Sequence, residues 1–255
     1  MLFDTHAHLD DRRFDGDREE LISSFAAAGV GRVLVPGCSV ESSRAALEIA
    51  RSHEGIYCAA GIHPGEILTA DENTVDALAE IAEDPKCVAI GEIGLDYYWH
   101  KDPEHKDTQR YWFLQQLYLA RELNLPVIVH DREAHQDTFD AVRKVGSRGV
   151  FHCYSSSAEM ATELVKIGFY CSFTGVVTYQ GVRKALLAIE SLPIERILIE
   201  TDSPYLAPVP LQKKRNDPRN VRTVAEVIAQ VKKMPVEEVV RITEENAMRL
   251  FRIEM

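Results

Sequence analysis

Residues 2–10 read LFDTHAHLD, and the kind of sheet this chain builds turns on that stretch. Leu2 and Phe3 lead into Thr5-His6-Ala7-His8 as a short apolar strand leads into its end. In an extended strand, positions i and i+2 share a face, whereas on a helix they lie about 200° apart. His6 and His8 therefore converge on one point. Imidazole is the commonest side-chain metal ligand, and two convergent rings suit a cation between them. A doubly wound open sheet, the main alternative, often carries a glycine-rich phosphate loop after its first strand. Residues 4–10 contain no glycine.

Similar apolar runs recur down the chain: RVLVPG (32–37), IYCAAG (56–61), CVAIGEIG (87–94), LPVIVH (125–130), GVFHC (149–153), FYCSF (169–173) and RILIET (196–201). With the opening stretch they make eight strand candidates. Between them lie segments of helical period at 18–28 (stopped by Gly29), 41–52, 72–83, 103–123, 134–145, 158–167, 182–192 and 219–232, with a terminal helix over 235–251. Uninterrupted apolar strands, each followed by a helix, imply a parallel sheet covered on both sides. Eight such units in 255 residues predict an α/β fold with a single (β/α)₈ barrel spanning 1–255.

Composition narrows the setting. The first fifteen residues are charged and lack an apolar signal core, and no apolar run reaches the roughly eighteen residues needed to span a bilayer. No membrane association is expected. The five cysteines, Cys38, Cys58, Cys87, Cys153 and Cys171, form no C-x-x-C and sit mostly in apolar runs, which leads us to expect a reducing cytoplasm. A net charge of −11 excludes a surface that is basic throughout, so nucleic-acid binding requires a local patch or metal ions. No obligate protein partner is evident.

The reactive residues cluster at the carboxyl ends of the strand candidates. His6 and His8 end the first, His63 follows the third, Glu92 ends the fourth, His130 ends the fifth, His152 the sixth, and Asp202 follows the eighth. In a barrel that face holds the active site, so these residues should surround one mouth and hold divalent metal. His53, His100, His105 and His135 lie in or beside polar helical segments and are expected at the surface. Neighbours on a strand point oppositely, so of each adjacent pair we expect His152, His130 and Asp202 at the mouth, with Cys153, Asp131 and Thr201 turned away or supporting.

The motifs DTHAHLD, GIHP, GEIGLDYY, VHDREA, FHCYS and ETDSPYL occur in this order, followed by KKRNDP and a terminal NAMRLF. Together they resemble the TatD family of metal-dependent deoxyribonucleases, within the amidohydrolase-like barrels, across essentially the whole chain. The resemblance implies two divalent ions. His6, His8 and Asp202 would hold one, His130 and His152 the other, and Glu92 would bridge them. It also implies 3′ to 5′ exonuclease action on single-stranded DNA ends. Two positions depart from the family pattern, Gly65 after GIHP and Ser156 after the sixth strand, and both bear on substrate preference. An imidazole-rich set favours Zn²⁺, Mn²⁺ or Ni²⁺, whereas the resemblance implies Mg²⁺.

Two such ions can clamp the attacking and leaving oxygens of a phosphodiester. Asp202 is the expected acceptor of the attacking water's proton, and His63 is assigned to the substrate phosphate or the leaving oxygen. On the substrate side, Lys213, Lys214 and Arg215, with Arg219 and Arg222, form a basic stretch after the eighth strand. Arg132, two residues beyond His130, could reach a phosphate if the strand geometry persists, and Tyr97 or Tyr98 could stack a terminal base. The alternative activity is metal-dependent hydrolysis of small esters, lactones or aminoacyl-tRNA esters, since the same clamp polarises a carbonyl. A barrel that only binds or scaffolds is a third reading.

Overall fold

A continuous apolar run has no polar face to offer water, so it must be covered on both sides. The computed structural model, which describes residues 1–99 and 101–254, covers these runs by rolling them into one eight-stranded sheet ordered as in the chain. The strands are β1 (Leu2–Asp4), β2 (Val30–Pro36), β3 (Ile56–Ala60), β4 (Cys87–Asp96), β5 (Val127–Arg132), β6 (Gly149–Phe151), β7 (Tyr170–Phe173) and β8 (Ile197–Ile199). Neighbours pair in parallel throughout. The Thr5 N–H donates to the Ile199 carbonyl at 3.1 Å, and Ala7 bridges Ser203 in parallel, bringing β8 back to β1. The fold is the expected (β/α)₈ barrel.

The outer ring comprises α1 (Arg18–Ser23), α2 (Val40–Ser52), α3 (Thr74–Ala82), α4 (Pro103–Glu122), α5 (His135–Val145), α6 (Ala158–Lys166), α7 (Arg183–Ser191), α8 (Val221–Lys232) and α9 (Val236–Phe251). Their starts follow local chemistry: the side chains of Ser39, Asp102 and Ser157 each accept a backbone N–H of the first turn, and Pro103 opens α4. One expected helix breaks. Instead of running over 18–28, α1 ends where the Ser24 hydroxyl donates to the Leu21 carbonyl at 2.6 Å. Ala26–Ala28 then form a tighter 3₁₀ turn, ended by left-handed Gly29.

Two apolar layers alternate along the strands. Leu2, Val33, Val35, Cys58, Val127 and Val129 belong to the larger layer, which includes the buried faces of the helices. Phe3, Leu34, Ala59, Ala89, Ile128, Val150 and Leu198 form the second, which fills the barrel. Ala247, Met248, Leu250 and Phe251 of α9 join this second layer, with the Phe251 ring 6.3 Å from that of Phe3. The terminal helix thus packs against the barrel's interior core, away from the mouth. No helix among the described residues is long and apolar enough to cross a membrane.

Candidate metal centre

Glu92 sits within β4, 3% exposed, and the strand's glycines explain its position. β4 pairs with β5 through Gly94 and His130. Gly94 has φ +151°, and a Cβ there would overlap the His130 carbonyl oxygen. Only glycine lets the two backbones approach this closely, which brings Glu92 and His130 together.

Each oxygen of Glu92 faces its own group of imidazoles. Oε2 lies 3.2 Å from His6 Nε2 and 3.7 Å from His8 Nε2. The Nε2 atoms of His6 and His8 are 3.2 Å apart, and Asp202 Oδ1 lies 3.7 and 3.4 Å from them. Oε1 lies 2.8 Å from both His130 Nδ1 and His152 Nε2, which are 3.2 Å from each other. The His6 and His152 rings stack at 4.1 Å, so the two groups touch.

These spacings match metal ligation. Donors about 2.0–2.1 Å from one tetrahedral ion lie roughly 3.3–3.4 Å apart, and octahedral neighbours about 2.9 Å. Tautomers agree with the distances. His130 Nε2 faces Asp96 Oδ2 at 3.3 Å, and His152 Nδ1 faces Glu200 Oε1 at 3.3 Å. A proton on each of those nitrogens leaves the lone pair of the other nitrogen aimed at Glu92's side of the centre, the usual arrangement of a carboxylate behind a ligating histidine. His8 Nδ1 faces Cys38 Sγ at 3.8 Å in the same sense. The residues fit divalent-metal binding.

His63 also reaches this centre, with Nε2 3.6 Å from Glu92 Oε1 and 3.3 Å from His130 Nδ1. Its Nδ1 accepts the Gly65 N–H at 2.9 Å, which places the ring proton on Nε2. His63 is thus oriented as a donor, and Gly65 supplies the backbone group that orients it.

Titration follows from this crowding. Burial pushes the Glu92 carboxyl up, but the surrounding imidazoles of His152, His63, His6 and His130 outweigh it, holding the group well below the usual range. Burial draws His63 down to about 3. Burial opposes protonation of His152 as well, yet Glu92 and Glu200 raise it well above an ordinary imidazole. Asp4, fully buried, is pushed up by burial despite accepting hydrogen bonds from the Thr201 backbone and hydroxyl.

The centre lines a cavity of about 770 Å³, in the company of Trp99, Arg132 and Tyr205. Six of the expected residues, His6, His8, Glu92, His130, His152 and Asp202, gather at the centre, His6 fully buried behind the cavity wall, and His63 joins them. The expectation that only one of each adjacent pair could face the mouth needs correction: Cys153 and Asp131 also line the cavity. β6 ends at Phe151 and Cys153 has φ +42°, so strand alternation no longer applies there. Thr201 is buried against Asp4, as a supporting residue. Lys213, Lys214 and Arg215 are exposed and do not line the cavity; Arg215 donates to Asp17 at 2.7 Å. Arg219 pairs with Asp217 and Arg222 with Glu237. Tyr97 donates to Asp137 and does not line the cavity. His53 faces Glu19 and His135 faces Asp131; neither these two nor His105 lines the cavity, and His100 lies outside the described residues.

Glu200 and Asp96, which the sequence reading did not single out, are the carboxylates behind His152 and His130. Glu200 Oε1 also accepts the Cys153 N–H at 2.7 Å. Glu200→Gln keeps that acceptor but removes the charge behind His152. We expect metal affinity at the His130–His152 group to fall about 10- to 100-fold, with the His6–His8 group unaffected, in a chelator competition titration. Wild-type affinity at both would refute this role.

The profile of a family described as TatD related DNase matches residues 3–252. YabD of Bacillus subtilis, named an uncharacterized metal-dependent hydrolase, is 43% identical over 256 residues, covering 99% of this chain and 100% of that protein. YcfH of Escherichia coli K12, named likewise, is 37% identical over 260 residues, covering 100% of this chain and 97% of its own. The crystal structure of the TatD homolog YjjV from Escherichia coli K12 superposes with a TM-score of 0.93 at 30% identity, covering 99% of this chain and 98% of that one. The chain belongs to the TatD-related DNase family, as one of its metal-dependent hydrolases.

Proposed function

We propose that the chain uses two divalent ions to hydrolyse phosphodiester bonds, removing nucleotides one at a time from the 3′ ends of single-stranded DNA. The observation that carries this reading is Glu92, one carboxylate whose two oxygens serve two separate donor groups. When bound, the ions supply the charge that steadies the attacking and leaving oxygens of an in-line displacement.

The chain's own residues do the rest. Asp202 Oδ1 faces His8, while Oδ2 has no partner among the described residues and takes the proton of the attacking water. His63, with its ring oriented by Gly65, donates from Nε2 toward the leaving oxygen. Arg132 is the one arginine or lysine lining the cavity among the described residues, which favours a substrate that brings a single phosphate inside. Lys213 and Lys214 form no ion pair among the described residues, so they remain available to backbone phosphates beyond the rim.

The test is incubation of the metal-reconstituted chain with 5′-labelled single-stranded DNA, beside a panel of esters, lactones and an aminoacyl ester. A ladder shortening by single nucleotides from the 3′ end is expected. DNA left intact while an ester turns over would transfer the function to small-ester hydrolysis.

A further inference from the structure

Arg132, Tyr98 and Trp99 form a group at the cavity mouth that the hydrolytic chemistry does not use. The Arg132 guanidinium lies 4.1 Å from the centroid of Tyr98 and 5.5 Å from that of Trp99, and its side chain makes no hydrogen bond or ion pair among the described residues. Its N–H donors therefore lie beside two aromatic rings and are uncommitted, free to grip a phosphate in the planar, forked way a guanidinium offers. Trp99 is 66% exposed, a large apolar surface left to water at the entrance of the cavity. It meets Tyr98 edge to face at 4.8 Å.

The group is fixed relative to the metal centre. Asp96 Oδ1 accepts the backbone N–H groups of both Tyr98 and Trp99 at 3.0 Å, while Oδ2 faces His130 Nε2 at 3.3 Å. One carboxylate thus orients a proposed metal ligand and pins the aromatic turn. A built phosphate gripper beside a pinned, exposed indole has the chemistry to recognise a nucleotide unit, phosphate and base together. Resting on the nuclease reading above, we propose that this is the substrate-end subsite: Trp99 stacks a nucleobase while Arg132 holds that nucleotide's phosphate.

Base stacking on an aromatic side chain is sequence-tolerant, and its usual strength corresponds to about a 5- to 150-fold change in affinity. Trp99→Ala should raise KM for an oligonucleotide with an intact 3′-terminal base within that range. It should leave KM unchanged for one whose terminal residue is abasic. Trp99→Phe should recover part of the loss. Arg132→Gln should raise KM for both, since both carry the phosphate. A second readout is free of turnover: the chain has two tryptophans, so in Trp112→Phe protein the emission reports Trp99 alone, and dTMP should quench it saturably. Equal KM for Trp99→Ala and wild type on the intact end, with unquenched emission, would overturn the subsite and leave the nuclease reading standing. If the wild type cuts no DNA, the nuclease reading falls and the titration decides the subsite: saturable quenching supports it, and none refutes it.

Discussion

Glu92→Ala should empty both donor groups at once. The carboxylate lies within 3.2 Å of His6 on one side and 2.8 Å of His130 and His152 on the other, so its removal takes a ligand from each and leaves imidazoles crowded with no anion between them. Elemental analysis after reconstitution should fall from two ions per chain toward none. The loss of affinity should exceed the roughly 10- to 100-fold typical of removing a partner one step further out. Turnover should disappear with the metal. The fold should persist, because the apolar layers that hold the barrel lie elsewhere, and circular dichroism checks this. A variant that still bound both ions would show that Glu92 is only a buried neighbour.

Asp202→Asn should separate metal binding from proton transfer. Asparagine retains an oxygen where Oδ1 faces His8, so the first group keeps its donor in place, but no basic carboxylate remains to take a proton. The rate should fall by about 10²- to 10⁴-fold, the usual weight of a general base, in a single-turnover assay at saturating metal. Burial pushes the Asp202 carboxyl up, and His8 and His6 more than offset this and keep it below the ordinary range, so the wild-type group is ionised and able to accept. A near-wild-type rate with both ions bound would remove Asp202 from the proton's path.

What was legible in the sequence follows from what strand ends encode. Continuous apolar runs identify buried parallel strands, and residues at their carboxyl ends must share the barrel's mouth. His6, His8, Glu92, His130, His152 and Asp202 are brought to one mouth by that topology, with Gly94 letting Glu92 and His130 close up. The reading fails where backbone direction changes beyond a strand. Cys153 turns back toward the cavity because its φ is positive, and Trp99 reaches the rim because Asp96 bonds the turn beneath it. Glu200 was hidden for another reason: as the first residue of ETDSP it reads as the end of the strand, and only the closed barrel brings it to His152. Arg215 is the opposite case. A basic stretch suggested a free cation, but Asp17, distant in sequence, folds against it.

Two ions sharing Glu92 would leave a direct crystallographic signature. The direct measurement is an anomalous-difference map from crystals soaked in Mn²⁺. Two peaks are expected, one among His6, His8 and Asp202 and one beside His130 and His152, with the Glu92 carboxylate between them. A single peak on one side of Glu92, with the other donor group empty at saturating metal, would contradict it.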